Sequence, residues 1–227
     1  MMFVCNVLVK KIKDKIYMKV FVINLDRSED RWAHYENTDY IRWSATDGKD
    51  IEGDILTRMI STHNIKEHNH RGKCGCFLSH VRLWKYIIDN KIDDVLILED
   101  DAEKIREIPN LPKDSITYLG GILFEKKITD GVYKGPRDFS DLNEVDNFKI
   151  LMTMSYYIPN HKILKELYDF IMKQKRYRAI DIMLNYETIP VKRRFVYPAV
   201  FKERKGDSTI DGSFHQKYAD LYYRWIN

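Results

Sequence analysis

The sequence is poor in the features that mark secreted scaffolds, membrane spans and nucleic-acid platforms. It has three cysteines, Cys5, Cys74 and Cys76, an odd number, and only Gly75 separates the last two. That argues against a disulfide framework and for a reducing compartment. The apolar opening MMFVCNVLV is too short to span a bilayer, and its lysines follow the apolar run where a secretory signal would place them before it. The expectation is therefore a soluble, cytoplasmic protein. Neither sign of charge dominates: 38 Lys and Arg stand against 34 Asp and Glu, spread along the chain for a formal +4. No domain-wide field would hold a nucleic-acid polyanion. Internal repeats and low-complexity linkers are also missing.

What is present is enough for a buried core: 227 residues, 44% hydrophobic and 13% aromatic. Residues 1–17 read as a dispensable extension, because Met18 offers a second start just before the run VFVINL, and 18–227 read as one domain. VFVINL is apolar apart from Asn24 and rich in β-branched residues, the pattern of a strand buried on both faces. A polar cluster, Asp26 to Arg31, then leads into a helical stretch with Ser28 as its N-cap. Residues 40–44 read as a second strand ending in ATDG, where Asp47-Gly48 signals a turn. Ser79 is placed to cap a helix carrying Val81, Trp84, Ile87 and Ile88, which Asn90 and KIDD end. VLIL at 95–98 is again fully apolar, and later strands are expected at 116–119 and 152–158, with helices at 162–173 and 181–186. Alternating strands and helices predict an α/β layer architecture with a mostly parallel central sheet and flanking helices.

The strand at 95–98 runs into three consecutive carboxylates, Glu99, Asp100 and Asp101. Adjacent carboxylates repel unless a cation or solvent relieves them, and hard ions such as Mg²⁺ or Mn²⁺ prefer oxygen ligands. The C-terminal end of a buried strand is also where ligands bind in open α/β sheets. A solvated acidic loop is the alternative. Asp93 and Asp94 precede the same strand, at the end where ligands do not bind, and read as solvated turn residues.

Taken in order, VFVINLDRSEDR from Val20, ATDG from Ala45, GKCGCFLSHVRLW from Gly72 and VLILEDDA from Val95 resemble glycosyltransferase family 25, which includes lipooligosaccharide and collagen galactosyltransferases. Weaker matches follow at YLGG, RAIDIML and YPAVFKERKGDSTIDG. The resemblance implies a GT-A-like nucleotide-sugar-binding fold, a UDP-sugar donor, and Mn²⁺ or Mg²⁺ held through Glu99, Asp100 and Asp101. It further implies inversion at the anomeric carbon and a glycan, lipid-linked or protein-linked acceptor. Asn24, Leu25, Asp26 and Arg27 fall where the family begins its donor site, Thr46 and Asp47 fall in its second loop, and Asp181 falls on an acidic catalytic or acceptor-side position. Lys73 departs from the glutamate common in the family, and no role is assigned to it.

The chemistry of such a transfer fits these residues. Charge grows on a departing diphosphate, so Lewis-acid and fork-shaped guanidinium groups are needed, and Arg27 and Arg31 offer the latter, unless they pair with Asp30 or Glu29. Inversion also needs a base for the attacking hydroxyl, and Asp181 is the candidate, with a helix N-cap as its alternative role. Asp207 and Asp211 come next. His80 is expected on the first turn of the Trp84 helix near the donor crevice, as a donor-side or a structural histidine. His63, His68, His70 and His80 with Cys74 and Cys76 raise a zinc site, but Cys74-Gly75-Cys76 lacks the usual two intervening residues and reads better as a tight turn with core packing. Lys192 to Arg194 with Lys202, Arg204 and Lys205 form either a tail closing over the diphosphate or a solvated face. A non-catalytic nucleotide-sugar binder and a metal-dependent nucleotide-sugar hydrolase are the competing functions.

Overall fold

The structure is a computed structural model and describes residues 18–59, 67–125, 141–145 and 148–204. The 1–17 extension, Cys5, His63, Lys205, Asp207 and Asp211 lie outside the described residues. Strand β1 (Lys19–Asn24) leads through a short helix α1 (Glu29–Trp32) to β2 (Ile41–Ser44), and after a 3₁₀ turn and α2 (Asp54–Arg58) comes the long helix α3 (Glu67–Asp89). Then follow β3 (Val95–Glu99), β4 (Ala102–Lys104), β5 (Ile116–Glu125), β6 (Leu142–Glu144), β7 (Phe148–Ile158), α4 (His161–Met172), α5 (Ile180–Met183), β8 (Arg193–Val196) and β9 (Phe201–Glu203).

Among the described residues, seven strands form one sheet in the order β2-β1-β3-β7-β5-β8-β6, and β4 pairs with β9 apart from it. The pairings β1–β2, β1–β3 and β5–β8 are parallel, while β7 runs antiparallel to both β3 and β5, and β6 antiparallel to β8. Five strands therefore point one way, which is the mostly parallel α/β sheet of a GT-A-like fold.

Period-two alternation explains why the first and third strands are apolar throughout. Phe21, Ile23, Val95 and Ile97 belong to one core, with Phe77, Trp84, Leu164 and Leu167. Val20, Val22, Leu96 and Leu98 belong to a second core on the opposite face, with Leu119 and Phe201. Both faces are covered, so neither has room for polar residues. On α4, Asn160 caps the helix through the Lys162 and Ile163 amides, and Leu164, Leu167 and Ile171 form its buried stripe.

Three local expectations are corrected. Ser28 occupies the N-cap position of α1 without a side-chain cap bond. Ser79 caps nothing: it lies inside α3, where its hydroxyl donates to the Gly75 carbonyl at 2.7 Å and accepts from the Thr46 amide at 2.8 Å. The Cys74-Gly75-Cys76 segment is likewise helix and not a tight turn, although Cys74 is fully buried as core packing requires. Glycines at 72 and 75 disguise the first turns of α3, since glycine costs about 1 kcal/mol of helix propensity against alanine. At position 75 the reason is steric. A Cβ there would lie 2.7 Å from the Thr46 carbonyl oxygen and 2.9 Å from the Gly48 nitrogen. The ATDG loop is thus clamped onto the α3 backbone, and Gly75→Ala should destabilise the fold by about 1–3 kcal/mol despite its better propensity. Urea unfolding measures this, and a variant as stable as the parent would mean the loop shifts freely.

Asp94 is also not a solvated turn residue. It is buried, pairs with Lys113 and accepts from the Tyr157 hydroxyl. Asp93 accepts from the amide and ring of His161 at the start of α4.

Candidate active site

The C-terminal ends of the parallel strands β2, β1 and β3 open on a cavity of about 470 Å³, closed on its other sides by α3, β7 and α5. Leu25, Arg27, Arg31, Thr46, Asp47, His80, Glu99, Asp100, Asp101 and Asp181 all line it. Asn24 and Asp26, the other two residues read as part of the donor site, are not on its wall and act behind it.

Asn24 is fully buried at the end of β1. Its Nδ2 donates to Asp100 Oδ2 at 2.8 Å and to the Ser28 carbonyl at 3.1 Å, while its Oδ1 accepts from Arg42 Nε at 2.8 Å. Arg42 also reaches the Leu25 and Asp26 carbonyls and Glu29, tying down the β1–α1 loop, and Asp26 accepts from Ser44 Oγ. Sequence reasoning missed Arg42 because a lone arginine on an edge strand carries no distinguishing signal.

The three carboxylates diverge. Asp100 is held by Asn24 and by Arg31, whose Nη1 lies 2.8 Å from Oδ1. Arg27 pairs with Asp47. The Asp30 charge acts on Arg31 as well, after those of Asp100 and Asp101. Glu99 accepts from Thr153 Oγ1 at 2.6 Å and faces His80 Nε2 at 3.2 Å. Burial works to raise the Glu99 carboxyl, but the His80 and Thr153 bonds and the Arg31 charge together hold it below the usual range. At Asp101 the Arg31 charge pulls the same way but is outweighed. Burial first, then the charges of Glu99, Asp100 and Glu203, push its carboxyl up to about 8. Its Oδ1 is buried without a hydrogen-bond partner. An orphaned carboxylate oxygen beside other carboxylates suits a hard divalent cation, which supplies the missing charge and coordination.

His80 lies in the middle of α3, not on its first turn, and is fully buried. Its Nδ1 is 2.7 Å from the Tyr156 hydroxyl, which also accepts from Trp84 Nε1 at 2.8 Å. A continuous buried network thus runs from Trp84 to Glu99, of the kind that fixes side-chain geometry.

Asp181 enters from the short helix α5. The N-cap of that helix is Ala179, so Asp181 does not cap it. Instead its Oδ2 accepts from the Met152 amide at 3.2 Å and its Oδ1 from the Ile182 amide at 2.7 Å. Burial raises its carboxyl against the pull of those amides and of Lys73. The Met152 amide reaches it because β7 is irregular there: its pairing with β5 shifts register near Gly120, and Met152 sits at φ 65°. Left-handed backbone at a methionine is uncommon and recurs at functional sites. Thr153, Lys73 and Cys76, also on the cavity wall, were invisible in this role because strand and helix patterns report burial and not which residues face a crevice.

The basic run at 192–194 does not reach the cavity. Lys192 and Arg194 pair with Asp114 and Glu144, and Arg193 is buried against the Leu184 carbonyl. Lys202 pairs with Glu103, while the Arg204 amide donates to the Asp101 carbonyl.

The carboxylate-lined crevice at the ends of the parallel strands lies where ligands dock in open α/β sheets. Residues 17–116 match glycosyltransferase family 25 (LPS biosynthesis protein), which bears out the family resemblance read from the motifs. The chain is 34% identical over 95 residues to a glycosyltransferase 25 family member of Drosophila pseudoobscura pseudoobscura (36% of this chain, 15% of that protein). It is 32% identical over 112 residues to procollagen galactosyltransferase 2 of Mus musculus (41% and 17%). It is 25% identical over 156 residues to the inactive glycosyltransferase 25 family member 3 of Mus musculus (60% and 25%). The chain thus spans a quarter or less of the length of these relatives. Among the described residues no helix is long and apolar enough to cross a membrane.

Proposed function

We propose that this chain transfers a hexose, galactose or glucose, from a UDP-sugar to a hydroxyl of a glycan, lipid-linked or protein-linked acceptor, with inversion and with Mn²⁺ or Mg²⁺. The observation that carries the reading is the convergence of Arg27, Arg31, Glu99, Asp101 and Asp181 on one cavity from three separate parts of the chain. The family match and the galactosyltransferase among the relatives support it.

Asp101 and Glu99 would hold the ion, and when bound it supplies Lewis-acid charge for the leaving diphosphate. Arg31 keeps Asp100 in place and, with Arg27 and Lys73 on the same wall, offers positive charge to phosphate oxygens. Asp181 takes the proton of the attacking hydroxyl as the new bond forms at the anomeric carbon and the bond to phosphate breaks. Its two amide contacts fix the carboxylate, and a second lone pair on each oxygen stays free for the proton.

UDP affinity should fall about tenfold or more in excess chelator, roughly 1.4 kcal/mol or above. Calorimetric titration with and without Mn²⁺ checks this, and equal affinities would remove the cation from donor binding. The relative named inactive gives weight to a second reading, a binding protein without turnover. A panel of UDP-sugars with candidate acceptors separates the readings: transferred sugar marks a transferase, free sugar alone a hydrolase, and binding without either a non-catalytic protein.

A further inference from the structure

Cys76, His80 and Glu99 place a thiol, an imidazole nitrogen and a carboxylate oxygen within 4.8 Å of one another on the cavity floor. We propose that these three side chains form a site for a borderline transition-metal ion, Zn²⁺ above all, distinct in chemistry from a hard-cation site at Asp101.

The geometry carries the assignment. Cys76 and His80 are four residues apart on α3 and so share one helix face, while Glu99 meets them from the end of β3. Zinc bonds sulfur at about 2.3 Å and nitrogen or oxygen at about 2.0–2.2 Å, so tetrahedral ligand atoms stand about 3.3–3.8 Å apart. His80 Nε2 and Glu99 Oε1, at 3.2 Å, are already at that spacing. Bringing in the sulfur takes side-chain movement on the order of 1 Å.

The surroundings favour ligation as well. The bond from His80 Nδ1 to the Tyr156 hydroxyl fixes the ring with Nε2 toward Glu99, which is the outer-shell arrangement that orients metal-bound histidines. Thr153 steadies the Glu99 carboxylate. One sulfur, one nitrogen and one oxygen suit zinc, whereas Mn²⁺ and Mg²⁺ prefer oxygen alone. This ion binding stands without the transferase reading. Only its consequence, competition with the hard cation for Glu99 and hence inhibition by zinc, rests on that reading.

Cobalt reports on such a site directly, because a thiolate ligand gives a charge-transfer band in the near ultraviolet. Titrating the full chain with Co²⁺ should produce this band at one ion per chain, and Zn²⁺ should bleach it while equal Mn²⁺ does not. The band should persist in Cys5→Ser and Cys74→Ser and vanish in Cys76→Ser. A band that survives Cys76→Ser, a chain that gives no band, or bleaching by Mn²⁺ as effective as by Zn²⁺ would overturn the assignment. Should Cys76→Ser fail to fold, the parent chain still decides. Saturating Zn²⁺ should slow alkylation of Cys76, read by peptide mass spectrometry, at least tenfold relative to Cys5, and an unchanged rate would refute the site.

Discussion

Asp181→Asn should lower turnover by about 10²–10⁴-fold while UDP affinity stays within a factor of about three, the signature of a lost general base. The structure changes how this result must be read. An asparagine cap is about as good as an aspartate cap, so a purely capping Asp181 would tolerate the exchange. Asp181 instead accepts a backbone amide on each carboxylate oxygen. Asparagine keeps one acceptor and turns a donor toward the other amide, leaving a part-buried N–H unpaired at about 1–3 kcal/mol. Some loss of stability is expected whether or not Asp181 is the base. Turnover must therefore be counted per folded molecule, with the stoichiometry of UDP binding as the count. A variant that binds UDP at full stoichiometry and transfers sugar at the parent rate would end the base assignment.

Asp101→Asn should abolish transfer and at the same time stabilise the metal-free fold, an opposition that distinguishes a functional carboxylate from a structural one. The folded Asp101 carboxyl is pushed up to about 8, first by burial and then by neighbouring carboxylates, whereas an unfolded aspartate titrates near about 3.9. Between those values the folded chain holds a proton that the unfolded chain has released. Stability therefore falls as pH rises through that window, and the loss is complete above about 8. Asparagine never ionises and escapes the penalty. In chelator the variant should melt higher than the parent, by a margin that grows from pH 5 to pH 8 and reaches on the order of a few kcal/mol. An equal margin at both pH values would show that Asp101 does not titrate in this window. Normal transfer by the variant would move the cation elsewhere.

The sequence by itself determined the layers and most of the wall of the site. Unbroken apolar strands at 20–23 and 95–98 announce a sheet covered on both faces, because period-two side chains leave no polar side. Glu99 to Asp101 at the end of such a strand, and the Asp47-Gly48 turn after another, mark the crevice because strand ends in α/β sheets are where ligands dock. Only the tertiary structure decided what each carboxylate does. Asp100 answers to Arg31 and Asn24, Glu99 to His80 and Thr153, and Asp101 keeps a buried Oδ1 with no hydrogen-bond partner, a partition set by neighbours up to 76 positions away in the chain. The start of α3 was hidden for the same reason: Gly75 reads as a helix breaker until the Thr46–Gly48 loop is seen packed against it. Period and propensity are local properties, whereas hydrogen-bond partners, close backbone approach and the left-handed turn at Met152 exist only once distant segments meet.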